Sequence, residues 1–429
     1  MSTLPLSPVR LLSGRLAVPG DKSISHRYVL LGALARGRTS VSHLSPGADV
    51  GASLACIEAL GARVRRVSSD EVEIDGWGAQ GPASPATPLD CMNSGTTMRI
   101  LMGLLARYPI SVTFIGDASL SSRPMGRVIT PLSMMGAQMD SADGRAPVTL
   151  TGGGLRAITW NTPVASAQIK SAVLFAGLGA EGTTEVFEPV PTRDHTERAF
   201  PLFGLRCEVA ERSVRVTGGQ QATAPGKSLR VPGDPSSAAV WAAAVASLPG
   251  SSVTLTGVAL NDRRLGFVAA LRRLGAEITI TEDEVLGGEP VGTITVAYGT
   301  ATDTSISADE VPGLIDELPV LAACAAHGRR LEVHGAEELR VKESDRITAL
   351  VTGLRNLGVA AEEYPDGFLI DGRARRATGG RADAVHDHRL VMAFTLVALG
   401  ATGPTFIDSA ESVAVSYPAF LSDLHQLSR

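Results

Sequence analysis

The nine residues 19–27 combine a turn with three side chains that can bind an anion. They read Pro-Gly-Asp-Lys-Ser-Ile-Ser-His-Arg, and an apolar, helix-like run over residues 28–35 follows. Lys22, Ser23 and Arg27 therefore lie at or near the first turns of a predicted helix, where free backbone N–H groups and the helix dipole favour negative charge. An ammonium, a hydroxyl and a guanidinium in this place predict a site for phosphate or carboxylate.

Two further segments open predicted helices with small polar residues. Residues 93–99 read Asn-Ser-Gly-Thr-Thr-Met-Arg, and Gly95 adds no side chain in front of the backbone N–H groups. Taken alone, this segment is more typical of a plain helix N-cap. Residues 166–172 read Ser-Ala-Gln-Ile-Lys-Ser-Ala, whose hydroxyl and amide groups can hydrogen-bond a hydroxylated ring and its phosphate. Lys170 lies further along this helix, where a structural role is favoured.

Charged residues outside these helix openings have two possible interpretations each. Arg123 precedes a proline that holds its backbone extended, so its guanidinium either extends from a loop into a site or is an ordinary surface arginine. Asp316 lies in an apolar setting, where a carboxylate can accept a proton or can simply begin a helix. Residues 340–346, Arg-Val-Lys-Glu-Ser-Asp-Arg, are the densest charge cluster, a pattern otherwise typical of a solvated face. Asp194 and Arg198 have the spacing of a helix-surface ion pair.

Together these segments resemble the enolpyruvyl transferase family, and within it the branch that acts on 3-phosphoshikimate. The matches at 19–27 and 341–346 are highly specific, and the resemblance extends from residue 19 to about residue 420. It implies transfer of the enolpyruvyl group of phosphoenolpyruvate to the 5-hydroxyl of 3-phosphoshikimate, through a tetrahedral intermediate and with release of phosphate. This is a step of the shikimate pathway to chorismate and the aromatic amino acids, and it implies no cofactor.

The resemblance also implies roles for individual residues. Those implied to bind 3-phosphoshikimate are Lys22, Ser23, Arg27, Ser166, Ala167, Gln168, Arg193, Asp316 and Lys342. Those implied to bind phosphoenolpyruvate are Lys22, Gly95, Arg123, Gln168, Arg346 and Arg389. Glu343 is implied to handle a proton at the enol carbon, and Asp316, with Lys22, at the attacking hydroxyl. Which of the three moves each proton stays open.

Three positions bear on how closely the chain follows the family. Many members carry a lysine shortly before an aromatic-Pro pair near the C-terminal end, where this chain reads Val-Ala-Val-Ser-Tyr-Pro at 413–418. Gly95 leaves the space found in members that glyphosate inhibits, whereas Ile100 stands where proline is frequent. We therefore expect the chain to be a glyphosate target that lacks one phosphoenolpyruvate contact.

The elements that must position these residues recur along the chain. Leu-Gly-Ala-Arg-Val at 60–64 has counterparts at 135–139, 203–207, 274–278 and 357–361, an interval of roughly 70–80 residues that indicates internal repeats. Each follows an amphipathic helix pattern, so its glycine is the expected C-cap, and β-rich segments such as 72–76 and 214–218 come next. Small-residue helix openings recur near Ser23, Ser94, Ser166, Ser236, Gly313 and Asp387.

These repeats predict an α/β fold of six strand–helix–strand–helix–strand–strand units in two similar domains. The first domain is expected at residues 20–231 and the second at 1–19 and 232–429, with a strand near 12–18 in the second. The resemblance implies that each domain has three βαβαββ repeats with helices inside and sheets outside, an inside-out α/β barrel. It also implies a double crossover between the domains, and we expect them to close on bound substrate.

The length, net charge and cysteine spacing of the chain argue against several classes of function. The 429 residues exceed one ordinary core, and a net charge of −5 argues against nucleic-acid binding. The four cysteines are far apart, as expected of reduced thiols, and we find no secretory signal and no apolar stretch of about 18 residues. His386 and His388 lack a third ligand, so no metal site is predicted. We expect a cytoplasmic monomer with small-molecule substrates and neither nucleic acid nor membrane as a partner.

Three alternatives stay open. A UDP-N-acetylglucosamine enolpyruvyl transferase typically has Lys-Asn in the first motif and a reactive cysteine before the loop arginine. This chain has Lys22-Ser23 and no cysteine between Ile115 and Arg123. A non-catalytic anion-binding protein on the same scaffold would need no acid–base pair. An RNA-end cyclase built from similar repeats would need a nucleotide-handling histidine and a basic face, and neither is evident.

Overall fold

The computed structural model describes residues 2–428, which divide into two compact units. The N-terminal unit contains residues 20–232 together with 286–289. The C-terminal unit contains the described residues up to Pro19, residues 233–285, and those from Pro290 onward. The domain boundaries expected from the sequence stay a prediction.

Thirteen α-helices lie within the described residues. They are α1 Lys22–Leu34, α2 Ala48–Ala59, α3 Gly95–Leu105, α4 Ala118–Ser122, α5 Gly126–Met134, α6 Ala167–Gly177, α7 His195–Ala199, α8 Pro235–Ser247, α9 Gly266–Arg273, α10 Leu318–Ala325, α11 Arg346–Asn356, α12 His388–Leu399 and α13 Phe420–Leu427. None of the helices in this part of the chain is long and apolar enough to cross a membrane.

The same residues form 23 β-strands. They are β1 Thr3–Leu6, β2 Ser13–Ala17, β3 Arg38–Ser42, β4 Arg63–Arg66, β5 Val72–Asp75, β6 Leu89–Asp90, β7 Ser111–Ile115, β8 Gln138–Ser141, β9 Val148–Thr151, β10 Thr159–Asn161, β11 Thr183–Phe187, β12 Glu208–Val209, β13 Ser213–Thr217, β14 Leu229–Arg230, β15 Ser252–Ala259, β16 Glu277–Leu286, β17 Glu289–Ala297, β18 Thr304–Ile306, β19 Arg330–Val333, β20 Ala360–Tyr364, β21 Gly367–Asp371, β22 Gly380–Asp383 and β23 Thr405–Asp408.

Six sheets repeat one strand arrangement. The N-terminal unit has β14-β3-β5-β4, β6-β7-β9-β8 and β10-β11-β13-β12, and the C-terminal unit has β2-β15-β17-β16, β18-β19-β21-β20 and β22-β23-β1. In each sheet the first two strands pair in parallel and the second and third pair antiparallel. The first two strands of a sheet are joined through a helix wherever they follow each other in the chain, as expected for parallel neighbours. The predicted fold class, with three repeats in each half, is confirmed.

Two of these sheets contain a parallel pair whose strands are distant in the chain. The strand predicted near residues 12–18 is β2, and it pairs in parallel with the first half of β15 in the C-terminal unit. In the N-terminal unit, β14 comes after all the other strands of that unit and pairs in parallel with β3, the first of them. In the N-terminal unit the last strand therefore pairs with the first. In the C-terminal unit the same closure is made by β1, which pairs antiparallel with the last strand, β23.

One helix of each repeat lies inside its unit. These inner helices are α1, α3 and α6 in the N-terminal unit and α8, α10 and α12 in the C-terminal unit, and every residue of α8 and α12 is buried. In the N-terminal unit, a Cβ at Gly103 of α3 would lie 2.1 Å from the carbonyl oxygen of Ala172 in α6, so only glycine allows these helices to approach this closely. Each unit has its own apolar core.

The repeated glycines are the best-predicted local feature of the chain. All five end a helical segment with positive φ: Gly61 at 96°, Gly136 at 111°, Gly204 at 70°, Gly275 at 95° and Gly358 at 86°. Left-handed backbone costs other L-residues about 1–2 kcal/mol, so glycine is the favoured residue at these helix ends. The expected C-caps are confirmed.

Five of the six predicted helix openings are also confirmed. The openings near Ser23, Ser94, Ser166, Ser236 and Asp387 coincide with the first residues or N-caps of the inner helices. The opening placed at Gly313 is wrong, because α10 begins only at Leu318 after a short 3-10 turn over residues 311–313. This helix has no side-chain N-cap bond, so the sequence carried no capping signal at its true start.

Candidate functional site

The first turn of α1 holds Lys22 in an ion pair. Asp21 caps the helix by accepting a hydrogen bond from the Ile24 backbone N–H at 2.7 Å. Lys22, the first residue of the helix, places its Nζ 2.9 Å from Asp49 Oδ2 in α2. Its side chain is 18% exposed. The ammonium is thus fixed at a helix N-terminus, as expected for a residue that contacts an anion there.

Arg27 is buried one turn further along α1 and is oriented by three hydrogen bonds. Its guanidinium donates to the Ser23 carbonyl at 2.8 Å, to Thr196 Oγ1 at 2.8 Å and to Ser171 Oγ at 2.9 Å. Burial lowers the pKa of Arg27 to about 10, and among neighbouring carboxylates Glu197 opposes this lowering most. Three of the five N–H donors are used by these contacts, which leaves the guanidinium capacity to bind an anion.

Gly95 begins α3 beside two arginines. Ser94 caps the helix by accepting a hydrogen bond from the Thr97 backbone N–H at 3.1 Å. A Cβ added at Gly95 would lie 2.7 Å from Arg99 Nη1 and 3.5 Å from Arg123 Nη1. The helix N-terminus and two guanidinium groups therefore meet next to a residue without a side chain, a suitable place for a compact anion.

Arg123 is held by the loop that precedes α3. It follows the last residue of α4, and its Nη2 donates to Asn93 Oδ1 at 2.5 Å and to Ser119 Oγ at 3.1 Å. Asn93 in turn donates from Nδ2 to Asp117 Oδ2 at 2.7 Å. The asparagine thus fixes the guanidinium position, and Arg123 is a buried residue rather than an ordinary surface arginine.

Gln168 connects α6 with α3. Its side-chain oxygen accepts a hydrogen bond from Arg99 Nη1 at 2.7 Å, and its Nε2 donates to Thr96 Oγ1 at 2.9 Å. Ser166 caps α6, with a long 3.5 Å bond from the Ile169 backbone N–H. The polar N-terminal ends of α3 and α6 therefore lie together.

Arg346 is the centre of the charge cluster in the C-terminal unit. It is the first residue of α11, and its Nε lies 2.7 Å from Asp387 Oδ2 while its Nη2 contacts Glu343. Its Nη1 lies 3.7 Å from Asp316 Oδ1. Burial alone would lower the pKa of Arg346, but Asp387, Glu343 and Asp316 raise it above its ordinary value. The guanidinium is permanently charged and held in place by carboxylates.

The same cluster brings the two candidate acid–base groups close to one cation. Asp316 Oδ1 lies 3.7 Å from Lys342 Nζ, the same distance as from Arg346 Nη1. Glu343 contacts the opposite branch of that guanidinium. The structure thus brings Asp316, Lys342, Glu343 and Arg346 into one cluster, whereas Arg340 and the exposed Asp345 of the same segment pair with each other.

Arg389 is fixed in the first turn of α12. Its backbone N–H donates to the capping residue Asp387 at 2.9 Å, and its Nη1 lies 3.8 Å from Glu317 Oε1. Ser236 Oγ accepts a hydrogen bond from Arg389 Nη2 at 3.4 Å and one from Arg264 Nη2 at 2.9 Å, and it donates to Glu317. A buried polar network therefore orients this arginine from α8 and α10.

The predicted site residues divide between the two units. The N-terminal unit contains Lys22, Ser23, Arg27, Gly95, Arg123, Ser166, Ala167, Gln168 and Arg193, and the C-terminal unit contains Asp316, Lys342, Glu343, Arg346 and Arg389. Within each unit they gather at the N-terminal ends of helices or in the loops that lead into them. Arg193 lies in the loop before α7, and its charge contributes to the lowered pKa of Arg27 after burial.

One group of side chains among the described residues has the spacing to share a cation. Asp194, His195 and Glu289 have potential ligand atoms within 4.8 Å of one another. Arg198 supplies a positive charge there, with Nε 2.9 Å from Asp194 Oδ1 and 3.6 Å from Glu289 Oε2. The ion pair predicted between Asp194 and Arg198 is confirmed.

Four residues that orient the predicted site residues were not assigned from the sequence. They are Arg99, which holds Gln168, and three carboxylates that hold Lys22, Arg346 and Arg389: Asp49, Asp387 and Glu317. Arg99 had a detectable signal, because it lies one turn into a helix where the dipole disfavours a cation. The carboxylates had none, since each is distant in sequence from its partner or resembles an ordinary helix-terminal acid.

This arrangement defines an α/β protein with cations at the N-terminal ends of several helices. A family model for EPSP synthase (3-phosphoshikimate 1-carboxyvinyltransferase) matches residues 6–424. The chain is 47% identical over 422 residues to a 3-phosphoshikimate 1-carboxyvinyltransferase from Acidithiobacillus ferrooxidans, covering 98% of this chain and 96% of the relative. A relative of the same name from Lactiplantibacillus plantarum is 44% identical over 428 residues, covering 99% of both.

Solved structures agree with these sequence relatives. An EPSP synthase from Acinetobacter baumannii superposes with a TM-score of 0.87 at 38% identity, covering 100% of this chain and 98% of that chain. The chain belongs to the EPSP synthase family. The resemblance to the enolpyruvyl transferases is confirmed, and the chain is a transferase.

Proposed function

We propose that the chain transfers the enolpyruvyl group of phosphoenolpyruvate to the 5-hydroxyl of 3-phosphoshikimate. The products are 5-enolpyruvylshikimate 3-phosphate and inorganic phosphate, on the pathway to chorismate and the aromatic amino acids. The observation that carries the proposal is the family match over residues 6–424. Carboxylates that hold Lys22, Arg346 and Arg389 support it.

The charges of the substrates account for the number of cations. The two substrates carry two phosphates and two carboxylates between them, so several arginines and lysines must surround them. For 3-phosphoshikimate we assign Lys22, Ser23, Arg27, Ser166, Ala167, Gln168, Arg193, Asp316 and Lys342. For phosphoenolpyruvate we assign Lys22, Gly95, Arg123, Gln168, Arg346 and Arg389. The assignment draws on residues of both units.

The reaction proceeds by addition and elimination. The oxygen of the 5-hydroxyl bonds to C2 of phosphoenolpyruvate, the hydroxyl proton leaves, and a proton adds to the C3 methylene to give a methyl group. Loss of a proton from that methyl and departure of phosphate from C2 restore the double bond. Preorganised cations stabilise the charge of the tetrahedral intermediate.

The two carboxylates of the C-terminal cluster suit these proton transfers. Glu343 is assigned to deliver and remove the proton at C3, and Asp316, with Lys22, to accept the hydroxyl proton. Both carboxylates contact Arg346, which is also assigned to phosphoenolpyruvate. The reacting groups and the charged substrate are thereby brought to the same guanidinium. No cofactor enters this scheme.

We also propose domain bounds, an oligomeric state and a location for the chain. We assign residues 20–231 to one domain and residues 1–19 and 232–429 to the other. The small-molecule substrates need no second chain, so the proposed acting form is a monomer, and the proposed location is the cytoplasm. Asp316 and Glu343 favour a catalyst over a passive anion binder, because binding alone needs no acid–base pair.

Phosphate release tests the proposal. The purified protein is mixed with phosphoenolpyruvate and 3-phosphoshikimate, and inorganic phosphate is measured over time, with UDP-N-acetylglucosamine as the acceptor in a parallel reaction. Release with the shikimate ester alone is expected. Release only with the sugar nucleotide would assign the chain to the other branch of the transferases, and no release with either acceptor would favour a binding protein.

A further inference from the structure

Three ionised side chains lie together inside the N-terminal unit, and the proposed reaction uses none of them. Lys170 Nζ lies 2.8 Å from Glu188 Oε2 and 2.6 Å from Glu197 Oε1. The side chain of Lys170 is 0% exposed and those of the two glutamates are 3% exposed. One positive and two negative groups give this triad a formal charge of −1. We call Lys170, Glu188 and Glu197 the buried triad.

Stability alone does not explain why such a charged group is buried. Removing ions from water costs several kcal/mol per ion, and buried ion pairs are often no more stabilising than apolar residues of the same volume. Residues close to the triad in the chain, such as Ile169, Val186 and Ala199, belong to the apolar core of the unit. What an ion pair offers in addition is a fixed geometry between the elements that it joins.

The buried triad joins three elements that lead to the proposed phosphate-binding groups. Lys170 is in the first turns of α6, Glu188 follows the end of β11, and Glu197 is in α7. Thr192 donates a hydrogen bond from its hydroxyl to Glu188. Both ends of the loop that carries Arg193 are therefore attached to α6, at Glu188 with Thr192 and again at Glu197.

The two side-chain anchors of Arg27 are sequence neighbours of triad residues. Thr196 precedes Glu197 in α7, and Ser171 follows Lys170 in α6. Arg27 donates to both hydroxyls, at 2.8 and 2.9 Å, and the two hydroxyl oxygens lie 2.7 Å apart. A shift of α7 relative to α6 would separate these hydroxyls and remove up to two of the three hydrogen bonds that orient the guanidinium.

We propose that the buried triad positions Arg27 and Arg193 for the phosphate group of 3-phosphoshikimate. The proposal rests on the proposed function, in which these arginines bind that phosphate. The ion pairs fix α7 and its preceding loop against α6, and the Thr196 and Ser171 hydroxyls transmit this geometry to Arg27. The triad residues are positioning residues, because they act through the arginines.

The double variant Lys170→Met with Glu197→Gln removes the ion pair without changing the formal charge of the buried triad. Only Glu188 remains charged, so the formal charge of the triad stays −1 while the ion pair between α6 and α7 is lost. A displacement of about 1 Å can cost on the order of 100-fold, so we expect KM for 3-phosphoshikimate to rise roughly 10- to 100-fold. Its Kd, measured by titration calorimetry, should rise equally, whereas KM for phosphoenolpyruvate at saturating 3-phosphoshikimate should not change.

Arg329→Met provides the matched control for lost stability. Arg329 is a fully buried cation of the C-terminal unit, bonded to backbone carbonyls and to none of the assigned residues. We expect it to be destabilised with both KM values unchanged. The positioning role would be overturned if the folded double variant had the same KM for 3-phosphoshikimate as the wild type. It would also be overturned if Arg329→Met raised this KM to the same extent.

Two further measurements apply if the double variant does not fold or if the wild type is inactive. If the double variant does not fold, Thr196→Val removes one hydroxyl between α7 and Arg27, and it must raise KM and Kd for 3-phosphoshikimate selectively. An unchanged Kd in that variant would overturn the proposal. Wild-type protein in the same assays reports on the function itself: if it neither turns over nor binds 3-phosphoshikimate, the proposed function fails and this inference fails with it.

Discussion

Cations stand at helix N-termini in both units, where the helix dipole disfavours them. Lys22 and Arg346 are the first residues of their helices, and Arg389 is the second residue of α12. Each of the three has a carboxylate partner, Asp49, Asp387 and Glu317 respectively. The carboxylates offset the unfavourable position and hold each cation where a bound anion would also interact with the helix N–H groups.

Removing the acid–base capacity of Glu343 should slow turnover without dissociating the substrates. Glu343→Gln keeps the shape of the side chain, and Asp387 still holds Arg346, so we expect kcat to fall about 10²–10⁴-fold with smaller changes in KM. Steady-state kinetics of phosphate release measures this. Glu337→Gln makes the same substitution at an exposed position and should have no effect, and an unchanged kcat for Glu343→Gln would exclude the residue as the group at carbon.

A methyl group at Gly95 should weaken phosphoenolpyruvate binding. The added Cβ would lie 2.7 Å from Arg99 Nη1, so that guanidinium must move, and we expect KM for phosphoenolpyruvate to rise roughly 10- to 100-fold. Gly126→Ala is the matched control, because Gly126 also begins a helix and its added Cβ would meet no atom within 4 Å. A similar KM in both variants would contradict the assignment of this pocket.

The same pair of variants tests the expectation about glyphosate. The wild-type chain should be inhibited, because Gly95 leaves space beside Arg99 and Arg123. Gly95→Ala should be less inhibited and Gly126→Ala as sensitive as the wild type. An uninhibited rate of the wild type in an inhibition titration would show that this expectation is wrong.

At the scale of elements, Arg329 connects the C-terminal ends of three helices in the C-terminal unit. Its guanidinium donates to the carbonyl of Ala246 in the last turn of α8 at 2.6 Å and to that of Leu274, just after α9, at 2.7 Å. A third bond of 3.0 Å goes to the carbonyl of His327, just beyond α10. A buried cation there satisfies carbonyls that have no partner within their helices, and it suits the dipoles.

Loss of this guanidinium should destabilise the fold and leave catalysis intact. For Arg329→Met we expect the free energy of unfolding to fall by roughly 3–5 kcal/mol, because three buried carbonyls lose a charged donor. Denaturant titration measures the loss. Arg330→Met removes a partly exposed neighbour paired with Glu332, and it should change stability by less than about 1 kcal/mol. Equal losses in the two variants would contradict the structural role of Arg329.

Local chemistry explains which elements the sequence could predict. The five C-cap glycines were identifiable because each helix end needs a positive φ that glycine adopts without strain. The start of α10 was misplaced because no side chain caps it. The inner helices could not be oriented from periodicity, since a helix such as α8 is buried on every side and has no polar face to mark its exterior.

The candidate site residues could be assigned from the sequence, but the side chains that hold them could not. Residues such as Arg123 and Arg389 were assigned through the resemblance, because a motif fixes their place in sequence. Their partners, Asn93 and Glu317, are set by tertiary packing between distant segments. A single sequence without related chains carries no pattern for such pairs, so the buried polar networks emerge only from the structure.

At the scale of the whole molecule, the buried His26 and the half-buried His327 make stability depend on pH. Burial lowers the pKa of His327 from 6.5 to about 4, although its bond to the Leu396 carbonyl opposes this. Burial, then Lys22 and Arg27, lower the pKa of His26 well below 6.5. Both rings stay neutral in the native protein while the unfolded chain binds protons below about pH 6.5. Stability therefore falls as pH decreases from 6.5 toward 4.

Removing His327 should flatten this dependence. Between pH 7 and pH 5 the wild type should lose about 2 kcal/mol more stability than His327→Gln, as linkage predicts for the lowered pKa of His327. Denaturant titrations at the two pH values measure the difference. His425→Gln changes an exposed histidine and should keep the wild-type slope, and identical slopes for all three proteins would refute the linkage to His327.

The measurement that tests the central claim most directly follows both phosphorus atoms during the reaction. In ³¹P NMR of wild-type protein with phosphoenolpyruvate and 3-phosphoshikimate, we predict that the phosphoenolpyruvate signal disappears and inorganic phosphate appears in equal amount. The ester phosphate should persist, shifted as the 5-hydroxyl acquires its enolpyruvyl group. Phosphate release without 3-phosphoshikimate, or loss of the ester phosphate itself, would contradict an enolpyruvyl transfer.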